Sequence, residues 1–163
     1  MFAKIISVGL FGMEAYMTGV EADISGGMPR FDVVGLPDTA VSESRERVRS
    51  AIKNNGLDFP PSRITINLAP ADIKKEGPIY DLPILIAILK STGQLSCDTD
   101  SSAFLGELSL NGEVRRINGV LPMVIKAQRC GVKEIYIPAP NAAEGAVVRG
   151  ITVYPVRNVG QLL

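Results

Sequence analysis

The sequence predicts an α+β fold, a two-layer α/β sandwich in which helices cover a mixed sheet. Three observations predict it. The first third alternates apolar and polar residues as strands do. A capped helical stripe begins at Asp38. Later strands are interleaved with two more helices rather than grouped. At 163 residues, 46% hydrophobic and 21% charged, the chain fits a single domain over residues 1–163. A chain of this size buries roughly 70% of its unfolded surface, enough for a core without staples.

Each element follows from local pattern. Val20, Ala22 and Ile24 share one strand face, with Glu21 and Asp23 on the other. Ser25-Gly26-Gly27 breaks the run, and Arg30–Gly35 resumes it with Phe31 and Val33 directed inward. Three strands joined by Gly-rich turns thus lead up to Leu36. Asp38 is placed to cap a helix by accepting from the free N–H groups of its first turn. Val41, Ser44, Val48, Ala51 and Ile52 form that helix's inner stripe, and Gly56 stops it. Ile64, Ile66 and Leu68 alternate with Arg63, Thr65 and Asn67 as a half-buried strand.

The long polar loop Ala69–Tyr80 leads to a second helix capped near Asp81. Its body, Leu82–Leu89, is apolar all round, which suits a central helix covered on most sides. Phe104–Leu110 and Glu113–Arg115 flank Asn111-Gly112, a strong hairpin signal. A third helix starts near Val120 with Pro122 in its first turn. Its stripe is Val120, Met123, Val124, Ala127 and Cys130. Glu134–Ile137 and Ile151–Val156 are late strands, with a short helix around Asn141–Ala146.

Composition excludes several chemistries. Seventeen basic and seventeen acidic residues cancel, so no global field draws in DNA or a membrane surface. There is no histidine, which removes imidazole triads, shuttles and histidine metal sites together. No GxxxxGK[ST] loop occurs, so ATP binding of the P-loop kind is not expected of this chain. Cys97 and Cys130 lack metal-ligand spacing and are expected to be reduced core thiols. The longest apolar run, Leu82–Leu89, is far short of the ~20 residues that span a membrane; a soluble, cytoplasmic chain is expected. Asp72, Glu76 and Asp81 lack the alternation of a calcium loop, so no metal site is expected.

The densest basic cluster is Arg45, Arg47 and Arg49, opposite the apolar stripe of the first helix. Arg45 and Arg49 stand at i, i+4, where like charges cost an isolated helix a few tenths of a kcal/mol. Such a pair serves a partner: phosphates, or acidic groups of a neighbouring subunit. The plainer alternative is a solvated face with Glu43 pairing Arg47. Lys74-Lys75 and Arg115-Arg116 are weaker signals of the same kind. No aromatic residue interleaves with these bases in sequence, so no stacking platform for single strands is visible.

KEGPIYD at Lys75–Asp81 and FLGELSLNGEVRRINGVLPMVIKAQRCGVKEIYIP at Phe104–Pro138 together resemble the proteolytic domain of Lon-type ATP-dependent proteases. In that pattern a Gly-Pro-Ser loop supplies a serine nucleophile, and the helix after a Gly-Glu hairpin supplies a lysine base. Here Ile79 stands in the serine's place and Met123 in the lysine's. Lys126 is one turn away, but the loop offers no hydroxyl for it to activate. The resemblance therefore implies a protease frame without its dyad, and a residual Ser-Lys peptidase is the least favoured function.

A wider resemblance covers Val34–Leu89. GLPDTAVSESRERVRSA, ITINLAPAD and YDLPI are together similar to the N-terminal domain of magnesium-chelatase-like AAA+ proteins of the ComM (YifB) type. That resemblance implies a Lon-protease-like fold preceding an AAA+ module that this chain does not contain. It implies DNA handling by a hexameric helicase, such as branch migration during natural transformation. ATP and magnesium would belong to the missing module, so no cofactor is expected in this chain. The implied partners are the protein's own AAA+ module, further copies of itself, and DNA. Arg45, Arg47, Arg49, Lys74 and Lys75 are the candidate contact residues, and no catalytic residue is expected. The alternative is a domain devoted to protein interaction, with the same arginines meeting acidic groups of a neighbour.

Overall fold

A computed structural model describes every residue from Met1 to Leu163. β1 (Phe2–Phe11) and β2 (Glu14–Ser25) form a long antiparallel hairpin. Its turn is Gly12-Met13, with Gly12 at a φ of 63° that favours glycine. β3 (Arg30–Val34) lies parallel to β4 (Arg63–Ala69), which pairs antiparallel with β2. β5 (Ser102–Phe104), β8 (Glu134–Pro138) and β9 (Thr152–Val156) extend the sheet in parallel from β1. The order across the seven strands is β3-β4-β2-β1-β5-β8-β9. The mixed sheet covered by helices is therefore as the alternation and the interleaving predict.

Helices lie against both faces. α1 (Thr39–Ser42) and α2 (Ser44–Asn54) replace the single helix expected after Asp38. Asp38 does cap α1, accepting from the Val41 amide at 2.8 Å. A tight bond from the Glu46 amide to the Glu43 carbonyl, 3.1 Å, marks the join. α3 (Asp81–Ser91) is buried along nearly its whole length, as its all-round apolar surface requires. It packs on β1 and β2, where Tyr16 and Thr18 reach the Tyr80 hydroxyl just before the helix.

Strand alternation turns Ala15 and Met17 to the opposite face. There α4 (Val120–Arg129) covers β1 and β2, and the short α5 (Ala142–Gly145) packs on β8 and β9.

Two further sequence expectations about the fold need correction. The strand expected over Phe104–Leu110 divides at Leu105-Gly106. Its start belongs to the main sheet, and β6 (Glu107–Leu108) pairs with β7 (Val114–Arg115) in a separate ribbon. Gly106 allows the break because a Cβ there would sit 2.7 Å from Val114 Cγ1. Asn111-Gly112 lies within the longer loop of this ribbon, held to α2 by Asn54 and Asn55. The cysteines are also exposed, not core. α4 ends at Arg129, so Cys130 follows the chain outward into the Gly131 turn, and Cys97 lies in the loop before β5.

Candidate functional site

Five basic candidates meet three different fates. Arg47 turns inward: its Nε donates to Asp81 Oδ2 at 2.6 Å and its Nη2 to Asp81 Oδ1 at 3.1 Å. Asp81 is fully buried at the start of α3. It also accepts from Ser44 Oγ at 2.5 Å and from the Leu108 amide at 3.0 Å. It is not the helix cap that sequence suggests; it joins α2, α3 and the β6–β7 ribbon. Burial pushes its carboxyl above the ordinary carboxylate range, opposed by hydrogen bonds from Arg47, Ser44 and Leu108. Glu43 also reaches Arg47, at 3.6 Å. Arg47 is thus a structural cation with little charge to offer a partner.

Lys75 is likewise internal. Its side chain is fully buried, and Nζ donates to the carbonyls of Gly35 (2.7 Å), Ile73 (2.5 Å) and Pro70. Its backbone meanwhile bonds to Leu36 and Asp38 at 2.9 Å each. Burial lowers the pKa of this ammonium, against the nearby carboxylate of Asp72. Lys75 therefore pins the Ala69–Tyr80 loop to the turn after β3, where Leu36 adopts a left-handed φ of 56°. It cannot meet a surface ligand in this conformation. Lys74, its neighbour, is exposed beside a groove lined by Phe11, Tyr16, Leu36 and Ile73.

Arg45 and Arg49 remain on one side of α2, the first exposed and the second half-buried. Arg45 is exposed, with Nε donating to the Ser42 carbonyl at 3.0 Å and Nη1 to the Phe31 carbonyl at 3.4 Å. Arg49 lies over the Phe59 ring, 5.2 Å from its centroid, and its Nε is buried without an acceptor. Phe59 in turn packs on Phe31 at 5.8 Å. An aromatic base under the arginines is what sequence spacing did not reveal. The turn after α2 folds Phe59 back beneath Arg49, a contact ten residues away in the chain.

The positions of the protease-like dyad are apolar and enclosed. Ile79 lies in a 3₁₀ turn over Pro78–Tyr80 and is 9% exposed at the wall of an open cleft of about 540 Å³. Asp38, Glu76, Glu107 and Arg116 give that cleft its polar lining. Met123 is fully buried on the inner face of α4 and does not line the cleft. Lys126 belongs to a different groove, with Glu14, Ala15 and Ile125. Asp72, Glu76 and Asp81 are not brought together, since Asp81 is committed to Arg47, and no three such side chains converge to hold a metal ion. No helix is long and apolar enough to cross a membrane.

Residues 20–141 match the family described as subunit ChlI of Mg-chelatase. The chain belongs to this magnesium-chelatase-like family. The uncharacterised protein YifB of Escherichia coli is 44% identical to it over 140 residues, covering 85% of this chain and 28% of YifB. Competence protein ComM of Haemophilus influenzae is 40% identical over 153 residues, 93% of this chain and 30% of ComM. DNA repair protein RadA of Streptococcus pyogenes is 35% identical over 92 residues, 56% of this chain and 20% of RadA. This family member spans about a third of the length of the curated relatives it matches most fully. The ComM/YifB resemblance first carried by Val34–Leu89 is borne out as a family relationship.

Proposed function

We propose that this chain is a non-catalytic accessory domain of a ComM-type AAA+ protein, assisting ring assembly or DNA engagement. The observation that carries the proposal is the pair Ile79 and Met123. Where a protease of this frame would need a hydroxyl and an amine, the chain places two buried apolar side chains, and neither has an atom for nucleophilic or base chemistry. The names of the relatives, a competence protein and a DNA repair protein, support a setting in DNA processing such as branch migration in natural transformation.

In the longer protein that this role assumes, ATP and magnesium serve the AAA+ module, and the assembly is a hexamer. Of the five basic candidates, exposed Arg45 and Lys74 and half-buried Arg49 are the ones available to phosphates or to a neighbouring protomer.

Two measurements test the role. Fluorescence anisotropy with labelled single- and double-stranded DNA, at low and physiological salt, reads DNA engagement; phosphate contacts require affinity to fall steeply with salt. Light scattering of the chain and of its Arg45→Glu and Arg49→Glu variants reads assembly. The accessory role requires at least one positive result. No DNA binding in low salt, together with an oligomeric state unchanged by both substitutions, would overturn it.

A further inference from the structure

β3 is an end strand of the main sheet, bonded only to β4. The Arg30 amide donates to the Ser62 carbonyl at 3.4 Å. Parallel alternation then turns the backbone groups of Arg30, Asp32 and Val34 towards β4, and those of Phe31 and Val33 outward. The other end strand, β9, is guarded differently. Its Thr152 amide donates to Lys133 at 2.9 Å, so the outward positions are Val153 and Pro155, and proline offers no N–H to an incoming strand. β3 carries no proline. Its outward Phe31 carbonyl is met only by Nη1 of Arg45, at a long 3.4 Å.

The surroundings of this edge are basic. Arg45 stands beside it. Arg49, one turn further along α2, makes no hydrogen bond or ion pair to protein and is held in place over Phe59. Arg30 projects from the strand itself with its side chain 68% exposed, pairing with Asp32 at 2.7 Å. Glu46 is the acidic neighbour on the same side of α2.

We propose that the outward edge of β3 is a docking site for an extended acidic segment of a partner polypeptide. The segment would add a strand through the outward N–H and C=O groups of Phe31 and Val33, and place carboxylates against Arg45 and Arg49. Charge selects this occupant. A second copy pairing β3 against β3 would bring two sets of arginines together, at a repulsive cost. A nucleic acid would meet the arginines but leave the outward amides unused. An acidic strand satisfies both, combining main-chain bonds for affinity with charged contacts for specificity.

Docking at β3 builds on the accessory role, yet the two fail separately. A chain that bound an acidic peptide and cleaved it would refute the accessory role and keep the docking edge. The probe is a fluorescein-labelled peptide alternating glutamate and valine, titrated into the chain and followed by anisotropy. Two control peptides are its lysine–valine counterpart and a version N-methylated at alternate residues. Hydrogen exchange of the Phe31 and Val33 amides is followed in parallel.

The glutamate peptide is expected to bind and to slow exchange at both amides. Binding is expected to weaken by about tenfold in the Arg45→Gln/Arg49→Gln double variant, in line with the loss of charge-assisted contacts. The lysine and N-methylated peptides are expected to bind far more weakly. The N-methylated control leaves the protein untouched, so a misfolded variant cannot imitate the result. Equal binding of the N-methylated peptide would overturn the proposal. So would unchanged exchange at Phe31 and Val33 while a labelled DNA duplex binds through the same arginines.

Discussion

Arg47 Nε donates to Asp81 Oδ2 at 2.6 Å, tying α2 to the first turn of α3 across a separation of 34 residues. Asp81 is completely buried while Arg47 keeps 18% of its side chain exposed. The pair therefore sits at the rim of the core, with Ser44 and the Leu108 amide completing the carboxylate's partners. Removing one member leaves the other uncompensated, which costs more than the pair itself contributes.

Arg47→Ala is accordingly expected to lower unfolding free energy by about 3–5 kcal/mol, the range for breaking a buried pair from one side. Arg45→Ala, on the same helix but exposed, is expected to change it by less than about 0.5 kcal/mol. Urea unfolding of both variants checks the contrast. Equal effects would mean that Arg47 does not carry the link between α2 and α3.

Lys74 and Lys75 are expected to separate in the same way. Lys75→Met strands three carbonyls that Nζ now satisfies, and leaving buried groups unpaired costs about 1–3 kcal/mol each at most. Lys74→Met changes a solvated charge and is expected to be nearly neutral for stability. Thermal unfolding of the two variants decides between this assignment and one in which both lysines are surface ligands.

Tyr80 makes the chain sensitive to alkali. Burial raises its hydroxyl pKa far above the ordinary tyrosine value, and the nearby Tyr16 is raised in the same direction. A group whose folded pKa is raised contributes stability that is intact below its unfolded pKa and lost as pH climbs towards the folded one. Stability is therefore expected to fall as pH rises past about 10, where the unfolded tyrosine ionises. Tyr80→Phe should flatten that slope in urea midpoints measured across the range. An unchanged slope would remove Tyr80 as its cause.

The same hydroxyl limits Gly9. A Cβ there would lie 2.1 Å from Tyr80 Oη and 2.6 Å from the Tyr16 ring, so Gly9→Ala is expected to cost about 1–3 kcal/mol through overpacking. Pairing it with Tyr80→Phe should recover part of the loss. Strict additivity in the double-mutant cycle would contradict the close approach.

Much of the scaffold was legible in the sequence because period-two and period-3.6 patterns report burial directly. Ile64, Ile66 and Leu68, and the stripe from Val41 to Ile52, lie where alternation and helical spacing put them. The candidate site was less legible, since exposure of a charged side chain depends on contacts distant in the chain. Arg47 and Arg49 look alike in sequence. One is claimed by Asp81 and the other by Phe59, and neither partner is set by the helix itself. Lys75 was hidden for the same reason: its acceptors are carbonyls, which carry no sequence signature. Helical spacing puts Cys130 on the inner stripe, but α4 ends one residue before it.

We propose that this chain, which resembles a protease frame in sequence, carries no peptidase chemistry of its own. The most direct measurement is mass spectrometry of unfolded casein after prolonged incubation with the purified chain, beside a buffer control. Peptide products indistinguishable from the control are predicted, because Ile79 and Met123 can neither attack nor activate. New peptides that accumulate with time and with protein concentration would contradict it.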